Sequence, residues 1–346
     1  MEGKMTTILE VANKAGVSKA TVSRVLSGNG YVSQATRARV YSAIAETDYR
    51  PNLLARNLAT KTTQTIGLVV TNTLYSGNYF SEILFHSARL MEQHGRQLIL
   101  ADGKHSAEEE KAAIDFLLDL RCDGIIIYPR FLSIDAMDEI ITRHNQPIMV
   151  INRRLRKNHS YCLFSDQHAS SRLAVSHLIA RGHRQIAFVT GSLDSPTGVE
   201  RLSGYKAALE EQGIPLRDDL IVAGKWTAQS GLEAVQHLLQ KQARFTALVA
   251  SNDDMAMGAL KAFAAAGVAV PASVSVVGFD DMPLAPFTLP SLTSMKVPVT
   301  EMMEETFTRL IAMLDGGHWN AQKTFPASLV MRESIADGPF PPVVQA

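Results

Sequence analysis

The sequence contains very little cysteine. Its 346 residues include two cysteines, Cys122 and Cys162, which stand far apart and beside apolar runs. Nothing in two thiols so placed suggests a disulfide framework or a Cys-rich metal site, so we expect buried, reduced side chains. No run approaches the roughly 18 apolar residues that a transmembrane helix needs, and no early apolar segment follows the N-terminus. We therefore expect a cytoplasmic chain that makes no membrane contact.

The sequence also lacks a net charge. Lysine and arginine total 34, and aspartate and glutamate total 34, so the whole-chain balance says nothing about nucleic acid. The distribution is uneven, because residues 1–64 hold nine basic and four acidic side chains, whereas residues 65–346 hold 25 basic and 30 acidic ones. A basic first segment on a mildly acidic remainder is typical of a nucleic-acid-binding module joined to a domain with another task.

Sequence signatures of catalysis are missing as well. The chain contains no GxSxG, no phosphate-binding P-loop and no GxGxxG at a strand-to-helix turn. Its ten histidines are scattered, without an HExxH or a CxxC partner. We therefore expect no enzyme, no cofactor and no metal site.

From residue 65 onward, short runs rich in Val and Ile alternate with amphipathic stretches of helical period. This alternation predicts parallel sheets covered by helices on both faces. This alternating pattern is long for one open sheet, and it restarts near residue 165. We therefore predict two doubly wound subdomains with a cleft between them. In such folds, ligands bind at the carboxyl ends of the strands. The predicted strands are 65–70, 96–101, 124–129, 147–151, 185–190, 247–250 and 274–279, and the predicted helices are 79–94, 107–119, 168–181, 199–212, 228–240 and 253–266.

Residues 6–50 carry a different pattern, of short helices only. The run "TTILEVANKAG" places its apolar residues on one helical face, with Thr6 or Thr7 available as N-cap and Gly16 as C-terminal cap. A second run, "SKATVSRVL", follows with Ser18 as N-cap, and a third begins after Ser33. Two short helices joined by a tight turn with Gly form the helix-turn-helix pattern, which also fits a plain helical hairpin.

The second of these helices presents small, hydroxylated and basic side chains around its N-terminal half, where they can meet phosphates and base edges. The fork of Arg24 suits guanine, and the methyl group of Ala20 can contact thymine. No acidic residue occurs from Ser18 to Ser33, although a merely solvated face would more often carry Glu and Lys pairs. These features favour DNA binding. The residues concerned are Ser18, Lys19, Ala20, Thr21, Ser23 and Arg24.

Longer motifs carry a family resemblance. The segments "ILEVANKAGVSKATVSRVLSG" and "VSQATRARVYSAIAETDYRPNLLARNLAT" resemble the opening of LacI/GalR-family transcriptional regulators, and the resemblance extends through "SNDDMAMGALKA" and "VSVVGFDD". Within that family, "GLVVTNTLYSGNYFSEILFHSARL" and "GKHSAEEEKAAIDFLLDLRCDGIIIYPRFLS" are similar to repressors of cryptic β-glucoside (arbutin–salicin–cellobiose) operons.

The resemblance implies a domain organisation and a function. We expect an all-α helix-turn-helix headpiece at 1–50, a hinge helix and linker at 51–64, and an α/β periplasmic-binding-protein-like body of two doubly wound parallel-sheet subdomains at 65–346. The expected activity is sequence-specific repression of a sugar operon, with operator affinity modulated by a small sugar or glycoside bound between the lobes. A helix-turn-helix dimer also implies a pseudo-palindromic operator and a homodimer.

The resemblance also assigns DNA contacts residue by residue. Base reading falls to Lys19, Ala20 and Arg24, and backbone contacts fall to Ser18, Thr21, Ser23, Asn29 and Ser33. Val32 and Thr36 match backbone-contact positions as well, but they fit a packing role equally.

The segment "RPNLLARNLATKTTQT" is too short to be a stable isolated helix in water, so by itself it fits an interdomain linker. The resemblance implies a hinge helix that forms on the operator, with Leu58 as a wedge between base steps and Asn52 and Ala55 at the minor groove. The two readings are compatible if the segment is disordered when free and helical when bound.

A pocket for a polyhydroxy ligand needs carboxylates or amides for the hydroxyl groups, a bidentate arginine and an aromatic face. Loops of the body supply Asn252, Asp253, Asp280, Arg201 and Trp226. Each has an ordinary alternative, since Asp253 can be a helix N-cap, Trp226 a core residue and Arg201 the partner of an exposed glutamate. Together they match the effector-binding set that the resemblance implies.

The N-terminal subdomain offers further candidates. Asn72, Tyr79 and Phe80 follow its first strand, and Arg130 follows another strand beside Tyr128. We predict effector contacts for Asn72, Tyr79, Phe80 and Arg130. Asp166 fits either a ligand contact or the N-cap of the next helix.

Other functions remain possible for such a body. A free sugar-binding protein would have no use for the basic head, and a sugar-active enzyme would need a pair of catalytic carboxylates, which the sequence does not show. A regulator with a purine-type or phosphorylated-sugar corepressor also remains open. The tail after Arg332 is rich in Pro and lacks a Leu heptad, so we expect a dimer rather than a coiled-coil tetramer.

Overall fold

The computed structural model describes residues 6–27, 30–49, 62–75, 77–319 and 323–339. The chain divides into two compact units, Met1–Gln64 and Thr65–Ala346. The described helices are α1 Ile8–Ala15, α2 Lys19–Ser27, α3 Gln34–Thr47, α4 Asn78–Gln93, α5 Ala107–Asp119, α6 Ile134–Arg143, α7 Gln167–Ala180, α8 Pro196–Glu211, α9 Ala228–Gln240, α10 Asp253–Ala265 and α11 Val299–Leu314. The strands are β1 Thr65–Val70, β2 Gln97–Asp102, β3 Gly124–Ile127, β4 Ile148–Ile151, β5 Cys162–Phe164, β6 Ile186–Thr190, β7 Ile221–Ala223, β8 Ala247–Ala250, β9 Ser275–Phe279, β10 Thr293–Lys296, β11 Lys323–Thr324 and β12 Ser328–Val330.

Local sequence signals set the helix ends of the first unit. Thr7 caps α1 and forms a capping box with Glu10. Gly16 ends α1 at a φ of +64°, in the left-handed region that favours glycine, and so turns the chain toward α2. Ser33 caps α3 by accepting a hydrogen bond from the backbone N–H of Thr36. The three helices pack around Val11, Ala12, Ala15, Val22, Val25, Val40 and Ala43.

The second unit has two lobes, and each described lobe is built on a six-stranded sheet. The first sheet has the order β11-β5-β4-β3-β1-β2 and is entirely parallel. The second has the order β12-β10-β9-β8-β6-β7 and is parallel except for the β10–β12 pair. Strands β3 and β8 are buried along their whole length, because helices cover both faces of each sheet. The predicted fold class is confirmed.

The chain passes repeatedly between the lobes. It leaves the first lobe after β5 and the second after β10, and it crosses again between β11 and β12. Helix α11 therefore returns to the first lobe, where Phe307 and Leu310 join the core beneath β1 and β3. Because the strands within each sheet are mostly parallel, the loops at their carboxyl ends gather at one edge of each lobe.

The apolar runs locate the central elements well. The seven predicted strands are present with their ends within two residues, and the six predicted helices of the body are present with their ends within three. The pattern does not locate the short strands β5, β7, β10, β11 and β12, or the helices α6 and α11.

Candidate effector pocket and DNA-reading surface

Helix α2 of the first unit turns its apolar side inward and its predicted reading surface outward. Val22 and Val25 are buried in the core, at 0% and 3% exposure. The hydroxyl groups of Ser18 and Thr21 lie 2.9 Å apart and start the helix. Ser18, Lys19, Ala20, Ser23 and Arg24 are exposed and Thr21 is half-buried, so all six lie where a nucleic acid can reach them.

Two residues with open alternatives, Val32 and Thr36, make contacts within this unit. Val32 is half-buried against the headpiece core. The Thr36 side-chain oxygen accepts a hydrogen bond from the hydroxyl of the exposed cap residue Ser33 at 2.9 Å. Asn29, Asn52, Ala55 and Leu58, to which the resemblance assigns DNA contacts, lie outside the described residues.

In the second unit, a cavity opens between the two lobes at the carboxyl ends of the strands. It encloses about 880 Å³, including its mouth. The first lobe contributes Leu74, Gly77, Tyr79, Tyr128, Arg130 and Asn152 to the lining. The second lobe contributes Gln167, Ser195, Thr197, Arg201, Lys225, Trp226, Thr227, Asn252, Asp253, Asp254, Asp280 and Met282. Seven of the nine predicted effector residues are among these.

Arg201, on α8, is held at the centre of the lining. Its side chain is 3% exposed. Nε donates to Oε1 of Gln167 at 2.8 Å, one terminal nitrogen donates to the carbonyl oxygen of Ser251, and the other donates to Oδ1 of Asp280 at 3.1 Å. The guanidinium carbon lies 4.3 Å from the ring centroid of Phe279. The acidic partner of Arg201 is therefore a carboxylate inside the cavity, and these contacts fix the orientation of the guanidinium.

The loop after β9 presents Asp280 through an unusual backbone. Asp280 and the next residue, Asp281, have φ angles of +98° and +52°, which residues other than glycine rarely adopt. The carboxylate of Asp281 accepts a hydrogen bond from Arg332 at 2.6 Å, and its backbone N–H donates to the hydroxyl of Ser294 at 3.0 Å. These contacts hold the strained turn and keep the Asp280 carboxylate in the cleft.

A hydrogen-bond network joins the two lobes across the cavity. The amide nitrogen of Asn152, which follows β4, donates to the hydroxyl of Tyr128 at 2.6 Å and to that of Thr197 at 3.2 Å. Its side-chain oxygen accepts from Gln167 at 3.1 Å, and Gln167 in turn accepts from Arg201. A ligand in the cavity would therefore meet polar groups whose mutual positions depend on how the lobes sit together.

An ion pair makes a second link between the lobes. The carboxylate of Glu110 is buried, and it accepts hydrogen bonds from the backbone N–H groups of Arg130, Phe131 and Leu132 at 2.7, 3.0 and 2.8 Å. These bonds hold the loop after β3 in place. From that loop, Arg130 donates to Oδ1 of Asp194, on the second lobe, at 2.8 Å. Burial raises the pKa of Glu110, whereas the three backbone donors lower it.

The start of α10 excludes the N-cap role considered for Asp253. Asn252 is the N-cap, because its side-chain oxygen accepts from the backbone N–H of Met255 at 2.9 Å. The Asp253 carboxylate instead accepts from the backbone N–H of Met282 at 2.9 Å and from the hydroxyl of Ser294 at 2.7 Å. Burial raises the pKa of Asp253 well above its usual range. Asp253 thus braces the loop that carries Asp280.

Asp254 lies in the lining although the sequence argument did not select it. It is the second residue of α10 and is half-buried. Burial raises the pKa of Asp254, and the negative charge of Asp280 raises it further. Two carboxylates therefore face the same space.

Aromatic rings complete the lining. Tyr79 and Tyr128 meet edge to face, with ring centroids 5.7 Å apart. The indole of Trp226 lies against the end of β6, where a Cβ on Gly191 would come within 2.0 Å of the ring. Trp226 packs on the core of the second lobe and also lines the cavity, so its core packing is observed and its effector contact stays a prediction.

Three candidates lie elsewhere. The backbone and side-chain nitrogens of Asn72 both donate to the carboxylate of Asp102, at 3.0 and 3.1 Å, and Phe80 stacks on Tyr75 with centroids 4.5 Å apart. Neither Asn72 nor Phe80 is among the residues that line the cavity. Asp166 caps α7 by accepting from the backbone N–H of Ala169 at 2.8 Å.

Several lining residues were missed by sequence reasoning. Asn152 directly follows β4, so the rule that ligands bind at the carboxyl ends of strands could have found it. Gln167, Thr197 and Thr227 begin helices of the second lobe, and nothing in their local sequence distinguishes them from ordinary helix-start residues.

Among the described residues, no group of three or more His, Cys, Asp or Glu side chains is placed to hold a metal ion. Within the same ranges, no helix has the length and the apolar content needed to cross a bilayer.

Comparisons with known proteins identify both units. Residues 7–52 match the family described as bacterial regulatory proteins, lacI family, and residues 175–335 match the periplasmic binding protein-like domain. The HTH-type transcriptional regulator AscG of Escherichia coli strain K12 is 64% identical over 331 residues, which cover 96% of this chain and 98% of that protein. The structure of a lac repressor dimer bound to operator and the anti-inducer ONPF aligns with a TM-score of 0.86 at 31% identity, covering 96% of this chain and 100% of that one. A complex of the transcriptional regulator CelR with cellobiose aligns with a TM-score of 0.69 at 30% identity, covering 95% and 99%.

Proposed function

Because this chain belongs to the LacI family and is a DNA-binding transcriptional regulator with a sugar-binding domain, we propose that it represses a β-glucoside utilisation operon. In this proposal, residues 1–50 read a pseudo-palindromic operator, residues 51–64 form the hinge, and residues 65–346 bind a β-glucoside and form the homodimer. A repressor of bacterial DNA acts in the cytoplasm. The family consists of regulators and not of enzymes.

The observation that carries the proposal is the network across the cleft. Asn152 and Arg130 of the first lobe bond to Thr197 and Asp194 of the second, beside Arg201 and Asp280. A ligand that touches these groups binds one arrangement of the lobes better than another, which is the requirement for coupling between two sites. The β-glucoside assignment is supported by the resemblance of residues 67–90 and 103–133 to repressors of cryptic β-glucoside operons. It is also supported by the similarity to CelR, whose structure is a complex with cellobiose.

A gel-shift experiment with the full chain tests the proposal. Operators selected from a palindromic library should be retarded specifically at about 0.15 M salt, and salicin or cellobiose should change the affinity. An absence of specific retardation would refute the regulator, whereas retardation that no β-glucoside changes would refute the assigned effector.

Arg24→Ala should relax base preference at one position in each half-site. The exposed guanidinium is the group on α2 best suited to a bidentate contact with guanine, so we expect a loss of about 1–3 kcal/mol of discrimination there. Selection from a randomised library, sequenced after binding, measures the preference. Lys14→Ala is the matched control. Lys14 is a cation of the same unit, but it lies on α1, and its ammonium group pairs with the carboxylate of Glu46 on α3 at 2.9 Å. An unchanged base preference in Arg24→Ala would remove Arg24 from the reading surface.

Asp194→Ala should weaken effector binding about threefold to tenfold. The variant removes the ion pair between the lobes. The expected loss of binding free energy is modest because the Asp194 side chain is 61% exposed, so solvent screens its charge. Calorimetric titration with salicin or cellobiose measures the change, which should shrink as salt is raised. Glu211→Ala is the control, since Glu211 is also an exposed acid, at 47%, but it pairs with Arg172 within one lobe. Equal changes of effector affinity in the two variants would show that the Arg130–Asp194 ion pair does not contribute to effector binding.

A further inference from the structure

The charge balance of the cavity bears on which ligands it accepts. Four helices of the second lobe begin at the cavity, with Gln167, Thr197, Thr227 and Asp254 at or near their starts in the lining. Helix N-termini attract anions, because their free N–H groups and their dipoles point toward the ligand. In this chain, side chains of the protein cap the starts of α7, α9 and α10, whereas the start of α8 has no side-chain cap.

The helix starts differ in how many N–H groups they leave for a ligand. Helix α8 has proline, which has no N–H, at its first position, Pro196. The hydroxyl of Thr227 caps α9 by accepting from the backbone N–H of Ser230 at 3.2 Å. Helix α10 is capped by Asn252 and carries Asp253 and Asp254 in its first turn, so its positive end faces two of its own carboxyl groups. An incoming phosphate would therefore meet side-chain caps at the starts of α7, α9 and α10, and at α8 a start that lacks one N–H group.

Two of the three cations of the lining are paired with carboxylates. The guanidinium of Arg201 donates to Asp280 at 3.1 Å, and that of Arg130 donates to Asp194 at 2.8 Å. Lys225 is exposed. A phosphate site usually has an excess of positive charge, with arginine forks free to form paired hydrogen bonds to the oxygens. Here the forks bind the protein's own acids.

On this charge balance, and resting on the proposed sugar-responsive function, we infer that the cavity selects uncharged polyhydroxy ligands and that Asp254 is the residue that rejects their phosphate esters. Asp254 stands beside Asp280 in a partly buried space, where charges interact more strongly than in water. Hydroxyl groups can donate to both carboxylates, whereas a phosphate brings up to two more negative charges and no comparable donors.

The test compares matched ligands by isothermal titration on the full chain. Salicin and cellobiose are each measured as the free glycoside and as its 6-phosphate. In the wild type, we expect the free glycosides to bind at least about tenfold more tightly than their 6-phosphates. In Asp254→Asn, this ratio of affinities should fall by at least about fivefold. Glu233→Gln is the control, because it removes an exposed acid of α9, hydrogen-bonded to Gln229, from the same lobe; it should leave the ratio unchanged. Tighter binding of the phosphate esters, or an unchanged ratio in Asp254→Asn, would overturn the inference.

A second experiment tests the charge argument independently of the proposed β-glucoside effector. If no glycoside binds in either form, the β-glucoside assignment fails, and thermal shifts with inorganic phosphate at constant ionic strength still decide the charge argument. The wild type should show no saturable stabilisation by phosphate, and Asp254→Lys should gain it. Saturable stabilisation of the wild type that is lost in Arg201→Met would mean that the cavity accepts anions.

Discussion

Asp280→Asn should abolish the response to effector at ordinary sugar concentrations while operator binding persists. The carboxylate accepts a hydrogen bond from Arg201, whose side chain is 3% exposed, and it is the acceptor that we expect to take hydrogen bonds from two ligand hydroxyl groups. Removing one partner of a buried, hydrogen-bonded charge pair costs about 2–5 kcal/mol, which corresponds to a loss of thirtyfold or more in affinity. Fluorescence anisotropy on labelled operator, titrated with salicin or cellobiose, measures the response.

The control for this variant is Asp219→Asn. Asp219 also pairs with an arginine, Arg217, but on the surface of the same lobe, and its side chain is 59% exposed. It should titrate like the wild type. An Asp280→Asn protein that responds to sugar like the wild type would show that the effector binds somewhere other than this cavity, because the other groups at the centre of the lining depend on Arg201 and Asp280.

The sequence predicts the central strands because their apolar runs are uninterrupted. It does not predict β10, whose residues Thr293 and Ser294 are polar by type although both are fully buried. Their hydroxyl groups are satisfied inside the protein, since Thr293 accepts from the backbone N–H of Arg332 and Ser294 donates to Asp253. A hydroxyl side chain that finds a buried partner far away in sequence gives no periodic signal, so strands of this kind escape pattern analysis.

The site shows a similar division. The rule that ligands lie at the carboxyl ends of parallel strands selects the correct edge of each sheet and so brings Arg130 and Asp280 together from opposite lobes. The rule cannot tell which way a side chain points. Asn72 obeys it as well as Arg130 does, yet its side chain turns to Asp102 on the neighbouring strand. The orientation depends on partners that only the folded chain brings close.

Gly258→Val should cost more than about 3 kcal/mol of the free energy of unfolding. Helix α10 crosses α9 at this glycine so closely that a Cβ would lie 1.8 Å from the carbonyl oxygen of Ala228 and 2.7 Å from the backbone nitrogen of Leu232. Backbone atoms cannot rotate away as a side chain can, so the two helices must separate. Chemical denaturation of the purified protein measures the change.

Gly258→Ala is a sharper test, because helix propensity favours the alanine variant whereas packing at the helix crossing disfavours it. In a solvated helix, replacing glycine by alanine stabilises by about 1 kcal/mol, so a net loss can come only from the crossing. Ala264→Val, on the exposed side of the same helix, is the control for the added methyl groups and should change stability by less than about 1 kcal/mol. The starts of α9 and α10 carry Thr227 and Asp254 into the cavity, so separating the helices should also weaken effector binding in the variant that remains folded. A Gly258→Ala protein as stable as the wild type would show that the helices can part at little cost and that their close approach does not fix the cavity.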